Sequence, residues 1–398
     1  MDMKTYRYIL LVISFCWACA NDPDPAADKA EFVKIYDNIQ FSKSYFPIDI
    51  KQTPDGGYVV LGGRRLQNSN FNGVYLMKVD ASGKFVSDSE VDANFVNPVG
   101  RLLESNGKYY FFCMTSVGLA TQLGEIDDTG ALTKTVDVGG SYPTVAAMDG
   151  NNFLLLGYDV VNKQSLVTSY TASGSALKSK GFSVGAGDAV EEPIINHFLR
   201  TGRQLPFQVG KTSGGQYFFN GFYNYTLSLV FTDLANDNPL GVAQGQQDKG
   251  GFSQVYPLDG NSFAAARFNF GDNYLLPKFT LSTSAVTSVT DLGGNKLPEL
   301  ENDAPIQITQ ASLAGKDYLI YASNTVSRQI ALYFYDKSSG AFAGSHYLGF
   351  SNPFEVANMI VTSDKGLAVC GTTYVAGRFP RICIFKISES TLSKSLQK

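Results

Sequence analysis

Residues 53–63 read TPDGGYVVLGG, and residues 78–83 read KVDASG. The first stretch opens on Pro, Asp and paired Gly, the chemistry of a tight turn. It continues as an apolar run of Tyr, Val and Leu, the composition of a strand. The second stretch ends a further apolar run, Val74 to Val79, on another Asp/Ser/Gly turn. Turn, strand, hairpin, strand is therefore the local grammar.

The same turn-then-strand pattern recurs along the chain. It appears as Gly56-GYVVLGG, Gly107-KYYFFCM, Asn151-NFLLLGY, Gly215-QYFFNGF, Asn261-SFAAARF, Lys316-DYLIYAS and Lys365-GLAVCGT. The mean step between copies is about 51 residues, near the period of kelch-type repeats. Each unit has a strand before the turn, the apolar strand after it, a third strand such as Val74 to Val79, and a weaker fourth such as Phe85 to Val91. Four antiparallel strands repeated radially make a propeller blade. We therefore expect an all-β, seven-bladed β-propeller of four-stranded antiparallel blades filling residues 31–398 as one domain. Glu31 to Tyr36 alternates like a strand and is expected to close the last blade, with Thr391 to Lys394 as the alternative outer strand. A β-sandwich pair is the rival fold and explains seven copies less well.

Thr53-Pro54-Asp55-Gly56-Gly57-Tyr58 with Lys78-Val79-Asp80-Ala81-Ser82-Gly83 resembles blades of secreted bacterial propellers carrying a T-x-D-G-G-Y … K-x-D-x-x-G pattern. Ser363 to Gly366 and Glu125 to Gly130 match it in part. The motif is structural and brings no catalytic residue with it.

The N-terminus reads as an export signal. Lys4 and Arg7 precede the apolar run Ile9 to Phe15, too short to span a bilayer but suited to a signal peptide. Trp17-Ala18-Cys19-Ala20 resembles a lipobox, the lipidation signal of bacterial lipoproteins. That resemblance implies a signal peptide at 1–18 and lipidation of Cys19; cleavage near Ala20 without a lipid is the alternative. Residues 19–30, acidic and Pro-rich, read as a flexible tether. Ala20 and the acids behind it resemble outer-membrane and surface-export signals, so we expect a surface-exposed outer-membrane lipoprotein, with a periplasm-facing one as the alternative.

The full chain carries 32 basic and 36 acidic residues. With no basic block, it offers little to a nucleic-acid backbone. His197 and His346 fall in different units, without metal-ligand spacing. No nucleophile elbow occurs, and no residue is assigned as catalytic, metal-binding or cofactor-binding. Cys370 and Cys383 lie in adjacent expected strands and would pair as a disulfide if the hairpin turned around residues 375–377; buried free thiols are the commoner outcome. Glu191 and Glu192 belong to the longest insertion, residues 185–205. Neighbours on an extended chain point apart, so the pair alone cannot flank a scissile bond. Residues 194–202 (IINHFLRTG) suggest a short helix over one face of the ring, as decoration rather than a lid.

Aromatic residues recur just before the first strand of most units: Tyr45, Phe95, Tyr142, Phe207, Phe252 and Phe354. They are expected at one mouth of the channel, where rings could stack on sugars or grip a peptide; packing of blade against blade is the alternative. The expected function is a cell-envelope binding or scaffold module for a glycan, peptide or protein. A glycan hydrolase or lyase is the second reading, and a structural subunit of an envelope complex the third.

Overall fold

Each recurring apolar run becomes a strand covered on both faces. Tyr58–Arg65, Lys108–Thr115 and Ser262–Asn269 are buried along almost their whole length. In the computed structural model, which describes residues 31–37, 43–67, 69–201, 203–375 and 379–396, alternate residues of these strands serve two different neighbours. Val59 and Leu61 pack with Tyr109 and Phe111, while Tyr58 and Val60 pack with Cys370 and Ile384. Tyr110 and Phe112 in turn meet Phe153 and Leu155, and Leu154 and Leu156 meet Phe219. The relay continues through Phe218 and Phe263, then Ala264 and Tyr321, then Ile320 and Val369. A side-chain period of two places one face of every inner sheet on each neighbour, and the chain of interfaces returns to its start. That is an all-β propeller.

The expected count of seven separate four-stranded blades is overturned. Among the described residues the strands form six sheets: five are discrete blades of four or five strands, and the sixth is one continuous sheet of eight. The eight-stranded sheet arises because Asn72–Val79 pairs with Phe95–Ser105 at Gly73 and Val96, so hydrogen bonding runs through from Tyr45–Gln52 to Leu132–Ser141. The five-stranded sheet borrows Val286–Ser288, which lies parallel to Gly241–Gln244. The neighbour that gave it up keeps only Asn295–Lys296 as its outer strand. A repeating turn motif counts strand pairs; it is silent on where outer strands bond.

Phe32–Tyr36 pairs antiparallel with Phe379–Ile387, so strands from both ends of the chain share one sheet. Glu31 helps hold this closure, its Oε1 accepting the Ser388 N–H at 2.9 Å. Thr391 to Lys394 belongs instead to a short helix, Glu389–Lys394. The expected signal peptide at 1–18, Cys19 and the tether to residue 30 lie outside the described residues. Among those described, no helix is long and apolar enough to cross a membrane.

The resembling turn motif is a hydrogen-bonded staple. Asp55 Oδ1 accepts from the Thr53 hydroxyl at 2.5 Å, the Gly57 N–H at 2.9 Å and the Lys78 ammonium at 2.9 Å. The Thr53 hydroxyl and Lys78, helped by the Gly57 N–H, hold the Asp55 carboxyl down at about 2 against the opposing effect of burial. Thr362, Asp364, Gly366 and Lys386 repeat the arrangement in the C-terminal blade.

Cys370 and Cys383 are free and buried, the commoner of the two outcomes weighed, and not a disulfide. Register pairs Cys370 with Ile384 and Cys383 with Gly371. The two thiols therefore leave opposite faces of the sheet, Cys370 among Tyr58 and Ile384, Cys383 among Phe385 and Val369. Burial pushes both thiols up, so neither offers a reactive thiolate near neutral pH.

Sheets are also bound to one another around the channel by buried side chains. Asp49 Oδ1 accepts from the Ile50 N–H at 2.8 Å and from Asn358, while Oδ2 accepts from the Leu102 N–H at 2.6 Å. One carboxyl thereby ties the inner strand Tyr45–Gln52 to Phe354–Val361 on one side and Phe95–Ser105 on the other. Gln208 makes a reciprocal pair with the backbone of Val255. Asp49→Ala should strand two buried backbone donors and the Asn358 amide, at about 1–3 kcal/mol each. We expect a loss of about 3 kcal/mol or more, read as a lowered urea midpoint; a change under about 0.5 kcal/mol would show that the clamp is dispensable.

Candidate functional site

The 185–205 insertion forms a helix, α1, over Asp188–Leu199. Gly187, at φ 102°, makes the turn into it, and Asp188 and Glu191 lie in its first turn, where the helix dipole favours acids. Val190, Ile194 and Phe198, at four-residue spacing, form its buried stripe. They pack on Tyr158, Phe222 and Phe268, so the helix is seated on the ring rather than merely attached to it.

The helix ends at Arg200, whose left-handed backbone (φ 51°) stops the chain and whose N–H returns to the carbonyls of Asn196 and His197. Asn97 holds this end against the eight-stranded sheet by donating its amide to the Phe198 carbonyl at 2.9 Å. His197 Nδ1 accepts the Leu205 N–H at 3.0 Å. Burial, with Arg200 beside it, pushes the imidazole down to about 3, so it is neutral at physiological pH and acts as a structural acceptor.

This end of α1 forms one wall of a cavity of about 320 Å³ at the channel mouth. Phe46, Asn97, His197, Arg200, Asn324 and Glu355 are among the residues that line it. The Arg200 guanidinium lies over the Phe46 ring at 4.1 Å from its centroid. It is open to the cavity yet ringed by protein, and this desolvation lowers it to about 10, still a cation at neutral pH. Across the cavity, burial raises the Glu355 carboxyl, opposed by a 3.2 Å hydrogen bond from the Tyr374 hydroxyl and reinforced by Glu301. Burial also raises Glu301, with Arg328 and Asn324 opposing. The mouth therefore combines an arginine, two carboxyls that hold their protons more tightly than usual, and a tyrosine pushed up to about 12 by burial and Glu355. Farther along the channel a second cavity, of about 390 Å³, is lined by inner strands from all six sheets, the eight-stranded sheet contributing two.

None of the six aromatic residues singled out before the first strands lines this cavity; they take the other position weighed for them, packed against neighbouring layers. Tyr45 packs on Tyr75 at 4.6 Å and donates to Glu90. Phe95 is half-buried against the core between the first two repeat units. Tyr142 and Phe207 support α1, at 4.7 Å from the Phe198 ring and 4.8 Å from His197; Phe207 also lines the second cavity. Phe252 and Phe354 are fully buried beside Phe279 and Phe385. Each of these rings is more fully removed from water between layers than at an open rim, and that decides their position. The residues that do line the mouth were hidden from sequence reading. Arg200 stands in the IINHFLRTG segment read as decoration, and Glu355 follows the Phe354 singled out beside it. Glu191 donates nothing to the cavity; it accepts from Tyr158 and pairs with Lys163. Among the described residues no group of three or more His, Cys, Asp or Glu could hold a metal ion.

No protein-family model matches this chain, and no curated protein matches it. Solved structures with similar folds include the Dos1 propeller, 8% identical, covering 90% of this chain and 95% of that one, with a TM-score of 0.48. A chain of a mitotic checkpoint complex is 10% identical, covers 86% and 92%, and scores 0.48. A mutant NanB sialidase from Streptococcus pneumoniae is 11% identical, covers 92% and 71%, and scores 0.47.

A carboxyl raised in the folded state gives stability that is complete below its unfolded value and is lost as pH rises through the folded one. Glu355→Gln should therefore raise the melting temperature at pH 7, and the gain should vanish near pH 4. Thermal melts across that range check this; a variant less stable than the parent at pH 7 would refute it.

Proposed function

We propose that this is a lipid-anchored cell-envelope module that binds a protein or peptide partner on the face carrying the mouth cavity. The observation that carries the reading is a set of apolar hairpin tips on that face. Register places the starts of first strands beside the ends of second strands, as Tyr45 opposite Arg64. The hairpins following second strands therefore share the mouth's face. Val117, Val161, Tyr225, Phe270 and Val326 each sit at the tip of one such hairpin in consecutive units, and Phe350 joins them from the loop before a first strand. All six are between 50 and 85% exposed. Single exposed apolar residues are ordinary; we read their recurrence at one structural position on one face as a surface for a partner. The fold itself is compatible with binding and with catalysis alike.

Chain direction supports outward display. Phe32–Tyr36 begins at the opposite face, where the Phe32 ring meets Tyr58, the first residue of its strand. An anchor preceding Phe32–Tyr36 would therefore attach on the side away from the mouth. A glycan-cleaving enzyme is the second reading, favoured by Glu355, Tyr374 and Glu301 standing together beside Arg200.

Panning a random peptide display library on the protein should enrich sequences whose affinity falls at least tenfold in a Phe270→Ser, Val326→Ser, Phe350→Ser triple variant. No enrichment, or equal binding to the variant, would overturn the docking face. Release of reducing ends from envelope polysaccharide, abolished by Glu355→Gln, would replace it with the enzymatic reading. Cys19→Ala should move the protein from the membrane fraction to the soluble one, and unchanged membrane association would refute the anchor.

A further inference from the structure

Arg203, half-buried, and Arg267 and Arg381, buried, each donate to at least one oxygen acceptor. Arg203 stacks on Phe268 at 4.0 Å and also donates to the Asp248 carbonyl at 2.8 Å and faces Asp303 at 3.4 Å. Arg267 stacks on Tyr274 at 3.9 Å and donates to the Gly293 carbonyl at 2.6 Å. Arg381, fully buried, pairs with Asp37 and donates to the Lys43 carbonyl. Arg200 departs from this pattern. It has the stacked ring, Phe46, but among the described residues its guanidinium has no hydrogen bond and no ion pair. The neighbouring acids do not supply one: Glu355 accepts from Tyr374, and Glu301 has Arg328 and Asn324 as its near partners. Arg200 is exposed at the cavity, so its charge is met by water alone and can exchange that water for an anion. A ring beneath its flat face leaves the N–H fork, which lies in the guanidinium plane, facing the open cavity and free to take an acceptor.

We propose that Arg200 is the anchor for a carboxylate of the bound partner, inserted from the docking face into the mouth cavity. This deepens the binding reading and rests on it for the partner's class. A planar fork of N–H donors matches a carboxylate in bidentate geometry. The cavity, at the small end of the ligand-pocket range, admits the end of a peptide or one acidic side chain rather than a folded domain. Side chains without a hydrogen bond among the described residues, Asn72, Gln204 and Thr372, stand in the same lining to take the adjoining peptide groups. Phe46 and the Asn97 bond to the end of α1 hold the guanidinium in place before the ligand arrives, which lowers the ordering cost of binding.

The test is the Nε–Hε NMR signal of Arg200 in the full-length arginine-labelled protein, identified by its absence in Arg200→Gln. The probes are acetyl-diglycine with a free carboxylate, its amide, and acetyl-aspartyl amide, each titrated to roughly 10 mM. A saturable shift with an acid and none with the diglycine amide is expected. A shift with acetyl-diglycine alone assigns the site to a chain terminus, and one with acetyl-aspartyl amide alone to an acidic side chain. No saturable shift with either acid, or an equal shift with the neutral amide, would overturn the proposal without requiring any variant to fold. Display-selected peptides should also bind Arg200→Gln at least tenfold more weakly. If they lose affinity only in the hairpin-tip variant, the docking face stands and the anchor falls. If no peptide is selected while the acids still shift Arg200, the anchor stands and the docking reading falls.

Discussion

The structure depends on closure of the ring. Every inner sheet buries both faces against neighbours, so no blade can leave its face open without losing much of its core. Val59 and Tyr58, adjacent in sequence, belong to different interfaces for this reason. The relay ends only because Phe32–Tyr36 bonds to Phe379–Ile387 and because Asp49 reaches Asn358. Both contacts join parts of the chain more than 300 residues apart. Loop closure over such distances carries an entropy cost that grows only slowly with length, and burial of the last interface offsets it.

Closure also creates the mouth. First strands converge on the channel, and the connections leading into them are brought to one face. Most are short, and one carries a helix. Because α1 buries Val190, Ile194 and Phe198 on the ring, its C-terminal end is fixed above the channel rather than held out in solvent. Arg200 owes its place to that seating and to a left-handed cap. The mouth is therefore a rigid site built by the ring, consistent with the general rule that binding groups sit on loops held by a stiff scaffold.

The split of chemistry across the mouth has a common cause. The enclosure that lowers Arg200 and His197 raises Glu355, Glu301 and Tyr374, because each charged form loses water. Groups that would pair if mobile are instead held to other partners: Glu355 by Tyr374, His197 by the Leu205 N–H. A cation facing the cavity is what remains.

Much of the architecture was legible along the chain. Turn chemistry at Thr53 to Gly57, apolar runs of strand length and the alternation of Phe32 to Tyr36 each depend on neighbours in sequence, and local physics suffices to read them. Sheet boundaries were not legible, since the bond between Gly73 and Val96 and the transfer of Val286–Ser288 to a neighbouring sheet are choices of outer-strand pairing. The thiols of Cys370 and Cys383 were separated by a one-residue difference in register, which sends side chains to opposite faces. Which of the two positions weighed for the aromatics before the first strands each ring takes was not legible, because burial between layers, not nearness to a loop, settles where a ring goes. Arg200, Phe46 and Glu355 come from three distant segments and carry no shared motif. Sequence by itself determined the strands and their turns; only the closed ring decided which side chains meet, because that depends on packing across the whole circumference.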